Sequence, residues 1–319
     1  MKIRVHYLIM AAPILLLACA EEGEVAQSQR HKWVYYDKGD GLASDRVLAL
    51  YEDNSNRIWI GTDQGVDVYT GSSFVHYSVA NGLVSNVVNA IASDNDGIIW
   101  AGTDNGLNLL IDGDWYYALF FDGAVVTSLL RLHNGNMVVG TRGGGAYEYR
   151  NSPSPFEYYR STTCADCNDI NVLYESKPNE VWIGTEGGLK RKAGNTITSY
   201  TTLQGLPDNH IRAITQDNWG NIWIGTLYGS QISRFTKGKW ENIDLANLYV
   251  QSWVGDLEVD NNGTLWISTF VGGIHHYDGA VVRKDFENFP DESITTLLKD
   301  VEGNIWVGTF SSGLAKFTP

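Results

Sequence analysis

The stretch GNIWIGT, Gly220 to Thr226, returns almost letter for letter as GNIWVGT, Gly303 to Thr309. An apolar run is written seven times, starting at Ile58, Ile99, Met137, Val181, Ile222, Leu265 and Ile305; six copies have a central tryptophan and six close on Gly-Thr. The central residues are Trp59, Trp100, Val138, Trp182, Trp223, Trp266 and Trp306, spaced by 41, 38, 44, 41, 43 and 40. A period near forty with turn residues between short apolar runs predicts propeller blades, one per repeat. Each unit offers four strand-like pieces: an apolar run ending in a polar turn, the tryptophan strand, a run after a glycine, and an aromatic run.

Twelve residues before the centre stand Val47, Val88, Val126, Ile170, Ile211, Val254 and Ile294, so the first hairpin carries no insertions. Apolar residues on both faces of these strands fit blades packed on both sides. The Gly of Gly-Thr suits a bulge or a turn with positive φ. The last unit stops at GLAKFTP after its third strand, while Trp33-Val34-Tyr35-Tyr36 is a fourth-strand sequence with no unit before it. The all-β, seven-bladed propeller over 32–319 is therefore expected to close by lending its N-terminal strand to the last blade, which removes an exposed edge.

Residues 1–18 read as a lipoprotein signal peptide. Lys2 and Arg4 precede an apolar run from Tyr7 to Leu17, too short to span a bilayer, and Leu16-Leu17-Ala18-Cys19 resembles a bacterial lipobox. Cys19 would be lipidated and would head a polar tether, 19–31, leaving the lipid as the sole anchor. Glu21 and Glu22 resemble the surface-export signal of Bacteroidota lipoproteins, so a cell-envelope location at the outer membrane, periplasmic or surface-exposed, is expected. Without Lys2 and Arg4 the chain carries 21 basic against 37 acidic residues, a net −16. That sign argues against nucleic acid or an anionic membrane surface as partner.

The pattern in GLVSNVV from Gly82 and GLPDNHI from Gly205, followed by the Gly-Thr strands, resembles the two-component regulator propeller repeat. The resemblance implies the fold and a ligand- or partner-binding face, as in extracytoplasmic sensors that detect sugars released from polysaccharides. No immunoglobulin-like domain, spanning helix or kinase follows here, so signalling does not carry over with the fold.

The loops entering the first strand and joining the second to the third define that face. Eleven residues before each centre stand Leu48, Asn89, Thr127, Asn171, Arg212, Gly255 and Thr295; thirteen before stand Arg46, Val87, Val125, Asp169, His210, Trp253 and Ser293. Hydrogen bonds between blades explain most of the polar ones, but a charge such as Arg212 needs a partner or a ligand. The loops after Gly-Thr run from polar (Asp63, Asp104, Arg142, Glu186) to apolar (Leu227 and Tyr228, Phe270, Phe310). With Tyr249 and Trp253 from the loop entering blade six, Tyr228, Phe270 and Phe310 form a candidate aromatic group beside His210 and Arg212. Such a group suits a sugar ring or a protein partner, unless the rings merely pack together under the loops.

Cys164 and Cys167 are expected to form a local disulfide. Two cysteines are too few for structural zinc, and no thioredoxin-like helix start is in view. His275 and His276 are strand neighbours and point to opposite faces, so they are not a chelating pair. Asp94-Asn95-Asp96-Gly97 hints at calcium, yet its recurrence as Asp217-Asn218-Trp219-Gly220 and Asp260-Asn261-Asn262-Gly263 reads as an Asx turn. No metal, cofactor or catalytic motif is predicted. The leading expectation is a monomeric binding module for a carbohydrate or a protein. The alternatives are a lyase-like enzyme at the channel mouth, with His210, Arg212 and Asp169 as candidates, and a pure interaction scaffold.

Overall fold

The computed structural model describes residues 32–150, 156–229, 231–245, 253–284 and 289–319. The segment expected to be a signal peptide, Cys19, the expected tether and Tyr249 lie outside the described residues. Lys32–Pro319 forms one compact unit of seven four-stranded antiparallel sheets. The first strands, from Val47–Glu52 in blade 1 to Ile294–Lys299 in blade 7, contact one another in a closed ring around the channel. The tryptophan strands come next outward and are buried along their whole length in every blade. Burial on both faces is why they are written without polar alternation.

Blade 7 is completed as expected. Lys32–Tyr36 pairs antiparallel with Leu314–Thr318, Trp33 opposite Phe317. Trp33 also meets Phe289 edge-on at 4.9 Å. Pairing the two ends of the chain in one sheet satisfies an edge that would otherwise offer its main-chain groups to another molecule.

Each first strand carries a β-bulge near its start, with the register shifting between Val47 and Ala49, between Val88 and Ala90, and likewise around the ring. The extra residue is the one eleven before the centre. The glycine of Gly-Thr sits opposite that bulge, and its reason differs from the one expected. The need is space, not positive φ: a Cβ on Gly102 would come within 2.4 Å of Val126 Cγ1 in the next blade, and one on Gly61 within 2.7 Å of the Val88 carbonyl. Blade 6 makes the exchange in reverse. Ser268 replaces the glycine, and the bulge residue is Gly255, whose Cβ would meet Ser268 Oγ at 2.9 Å.

The central tryptophans serve as clasps. Five of the six indoles donate to the carboxylate six residues earlier: Trp59 to Asp53 at 2.8 Å, Trp100 to Asp94 at 3.1 Å, Trp223 to Asp217 at 2.9 Å, Trp266 to Asp260 at 3.1 Å and Trp306 to Asp300 at 2.8 Å. The same carboxylates accept main-chain N–H groups of the turn between the strands, such as those of Asp96 and Ile98 at 3.0 Å. The main-chain bonds are those of an Asx turn, and side-chain donors such as Arg57 Nε on Asp53 and Asn221 Nδ2 on Asp217 add to them. Blade 4 substitutes Ser176 for the aspartate, and blade 3 loses both members, with Leu132 and Val138.

Candidate functional site

The bulge sets seven residues, six of them with side chains, at the channel mouth, and all seven line one cavity of about 330 Å³ there. Most are engaged between blades. Asn89 Nδ2 donates to the Val126 carbonyl at 3.2 Å, Asn171 Nδ2 to Ile211 O at 2.9 Å and Thr295 Oγ1 to Val47 O at 2.7 Å; Thr127 Oγ1 donates to Ile170 O. Each reaches the first residue of the next blade's inner strand. Asn89 and Asn171 therefore act as blade-to-blade clasps, which is the plainer of the two roles open to them. Between blades 6 and 7 Gly255 has no side chain, and Asp256 makes the link: its carboxylate accepts from Leu297 N at 2.9 Å and Thr296 Oγ1 at 3.2 Å.

Arg212 breaks this pattern. It turns back to the preceding blade, where Nη2 stands 3.1 Å from Glu186 Oε1. The same Oε1 accepts from Asn171 Nδ2 at 3.0 Å, and Glu186 Oε2 lies 3.7 Å from His210 Nε2. His210 Nδ1 pairs with Asp208 at 3.0 Å, and the Tyr228 ring stands edge-on to the imidazole at 5.3 Å. Arg212 Nε is buried without a hydrogen-bond partner. The acid that gathers His210 and Arg212 is thus Glu186, four residues after its blade centre. Asp169, grouped with them from the sequence, enters through its main chain, its carbonyl accepting Glu186 N–H at 3.2 Å. The signal for Glu186 was its loop position; nothing in the spacing said which acid would meet the arginine.

The aromatic group divides. Trp253 stacks on Phe270, centroids 4.4 Å apart, and Phe270 meets Phe310 edge-on at 5.4 Å. Arg46 caps the run from blade 1, its guanidinium 4.6 Å from the Phe310 centroid. Trp253 and Phe310 each keep 38% of their surface exposed, so this three-ring ridge over blades 6 and 7 is not sealed beneath loops. Tyr228, 58% exposed, belongs instead with His210. Arg142 is exposed at the rim of the cavity.

Two further acids stand on the inner strand of blade 6. Burial pushes the Asp256 carboxyl up to about 6, against the hydrogen bonds it accepts. Burial, then the nearby Asp256 charge, pushes Glu258 up to about 7. The structure joins Cys164 and Cys167 in a disulfide packed on Gly187, where a Cβ would come within 2.7 Å of either sulfur. His275 is fully buried and His276 faces Trp266, so the adjacent histidines do point apart. Burial holds His275 down at about 4, hence neutral at physiological pH. Among the described residues no group of three or more His, Cys, Asp or Glu could hold a metal.

The family model of the two component regulator propeller matches residues 41–64, 82–105, 205–228 and 288–311. These lie in blades 1, 2, 5 and 7, while blades 3, 4 and 6 are the three whose clasp or Gly-Thr departs from the pattern. No curated protein sequence matches the chain. The fold is similar to the extracellular domain of a protein described as a hybrid two component system from B. thetaiotaomicron, with a TM-score of 0.76 and 21% identity over 90% of this chain and 42% of that one. This chain thus spans about two fifths of that domain's length. It is also similar to virginiamycin B lyase from Staphylococcus aureus, TM-score 0.75, 14% identity, covering 91% and 99% of the two chains. A third likeness is to PorZ, a surface component of the type-IX secretion system of Porphyromonas gingivalis, TM-score 0.68, 19% identity, covering 89% and 47%. At these identities the likenesses establish the seven-bladed fold and leave the chemistry to the site.

Proposed function

We propose that the chain is an extracytoplasmic binding module, anchored through lipidated Cys19, that takes a glycan or a protein partner on the loop face of the propeller. The observation that carries the reading is the partly exposed ridge of Trp253, Phe270 and Phe310 beside a polar channel mouth. Flat aromatic faces next to hydrogen-bonding groups suit the apolar and hydroxylated faces of a sugar ring, and suit a protein hot spot equally. No helix among the described residues is long and apolar enough to cross a membrane. The acidic balance keeps nucleic acid out of the partner list.

The test is a thermal-shift screen of the chain from residue 20 against oligosaccharides and monosaccharides, with Trp253→Ala and Arg212→Ala alongside. A ligand at a hundred times its dissociation constant stabilises by about 2.7 kcal/mol, so a binder is visible. A shift lost in both variants supports the glycan reading. No shift from any sugar turns the reading to a protein partner, and capture from the cell envelope that depends on Trp253 is then required. A lyase reading draws support from His210 set between Asp208 and Glu186, with Arg212 on Glu186 and the Tyr228 ring against the imidazole. Mass spectrometry separates it: a recovered ligand of unchanged mass means binding, and a product lost in His210→Ala means an enzyme.

A further inference from the structure

Blade 3 departs from its six sisters at one junction, and three changes meet there. Elsewhere the central tryptophan of one blade packs on an apolar or aromatic third-strand residue of the next, as Trp182 does on Phe235 and Trp100 on Tyr149. The residue paired across from the tryptophan is a cation over its ring in three blades: Arg191, Arg234 and Lys316. At the junction of blades 3 and 4 the tryptophan is Val138, its cross-strand partner is Glu148, and the third-strand residue of blade 4 is Lys192. The stack of indole, cation and ring is replaced by an aliphatic, a buried acid and a lysine. A cavity of about 390 Å³ opens there, between the turns on the face opposite the channel-mouth loops.

The cavity is polar and its groups are held in place. Glu148, 4% exposed, accepts from Asn136 Nδ2 at 2.7 Å and Arg150 Nη2 at 2.6 Å. Glu175 accepts from His133 N at 2.6 Å and Asn179 N at 3.2 Å. Lys192 Nζ lies 4.7 Å from the centre of the Tyr158 ring. Burial, then the charges of Glu148 and Glu175, pushes the Tyr158 phenol up to about 12, so it stays a neutral donor. A space left only by the loss of an indole would be lined by apolar side chains and stay dry. This one has two anchored carboxylates, a phenol and two cations around a volume within the range of small-molecule sites.

We propose that this cleft is a second ligand site, independent of the channel face, for a neutral polyhydroxylated molecule of monosaccharide size. The charges of the wall balance, so a net-charged ligand gains little, whereas hydroxyls can donate to Glu148 and Glu175 and accept from Lys192 and Tyr158. The test is saturation-transfer NMR on the chain with D-glucose, D-galactose, D-mannose, L-arabinose and D-xylose. It is run on the wild type, Glu148→Gln, Lys192→Met and Trp253→Ala, with melting curves for each. The expected result is a signal from at least one sugar that Trp253→Ala keeps and that the cleft variants weaken roughly tenfold or more, as loss of a charge-assisted hydrogen bond does. Lys192 is at the cavity rim, so Lys192→Met tests the site even if Glu148→Gln fails to fold. A signal kept in both cleft variants, a signal lost in Trp253→Ala, or no signal from any of the five sugars overturns the proposal.

Discussion

The clasp of blade 1 can be tested by removing Asp53. Its carboxylate accepts four hydrogen bonds, from Trp59 Nε1 at 2.8 Å, Ser55 N at 2.8 Å, Arg57 N at 3.1 Å and Arg57 Nε at 2.7 Å. In Asp53→Ala the turn amides can turn to water, but the indole cannot, because Trp59 is 1% exposed. Stranding a buried donor costs about 1–3 kcal/mol, and the turn bonds add about 1 kcal/mol, for a loss of about 3 kcal/mol. At about 2 °C per kcal/mol for a domain of this size, the melting temperature should fall by roughly 6 °C. Trp59→Phe removes the donor while keeping most of the packing, so in a double-mutant cycle the two changes should couple by about 1–2 kcal/mol. Calorimetry and denaturant titration of the four proteins read both quantities. A coupling below about 0.5 kcal/mol would show that the indole–carboxylate bond is incidental and that packing alone fixes the tryptophan.

The acids give stability a pH dependence of two signs. Burial works to raise Asp53, but the bonds from Trp59, Arg57 and Ser55 outweigh it and leave the carboxyl below its ordinary 3.8, so its contribution is present above that value and is lost as the pH falls further. Asp256 runs the other way. Raised from 3.8 to about 6, it binds its proton more tightly when folded, so stability falls as the pH rises from 3.8 through 6. The effect is up to about 3 kcal/mol by linkage and smaller where channel water reaches the group. Denaturant titrations between those values should show a negative slope that Asp256→Asn flattens, and an unchanged slope would refute the assignment. At the blade interface, Gly102→Ala drives a methyl to 2.4 Å from Val126 Cγ1 and should cost about 1–3 kcal/mol. Val126→Ala in the same chain should return part of that loss, and an additive double variant would contradict the steric account.

The number of blades, the placing of the inner strands and the closure of the ring are legible in the residue pattern alone. Those follow from local hairpins of fixed length, from turn residues, and from an unpaired strand at each end of the repeat. The same counting brought Leu48, Asn89, Thr127, Asn171, Arg212, Gly255 and Thr295 to one channel mouth, because a residue at the same place in every hairpin must meet its equivalents on the axis. Only the tertiary structure decided what those residues touch. Asn171 and Thr295 find main-chain carbonyls across a blade boundary, while Arg212 turns to Glu186, because partners are chosen by distances between blades that no spacing along the chain encodes. The Gly-Thr glycine shows the same limit: its need is set by the neighbouring blade's valine or isoleucine, not by its own backbone. Val138 could be read as a missing tryptophan, but that the gap would be filled with Glu148 and Lys192 around an open cleft required the two blades to be set side by side.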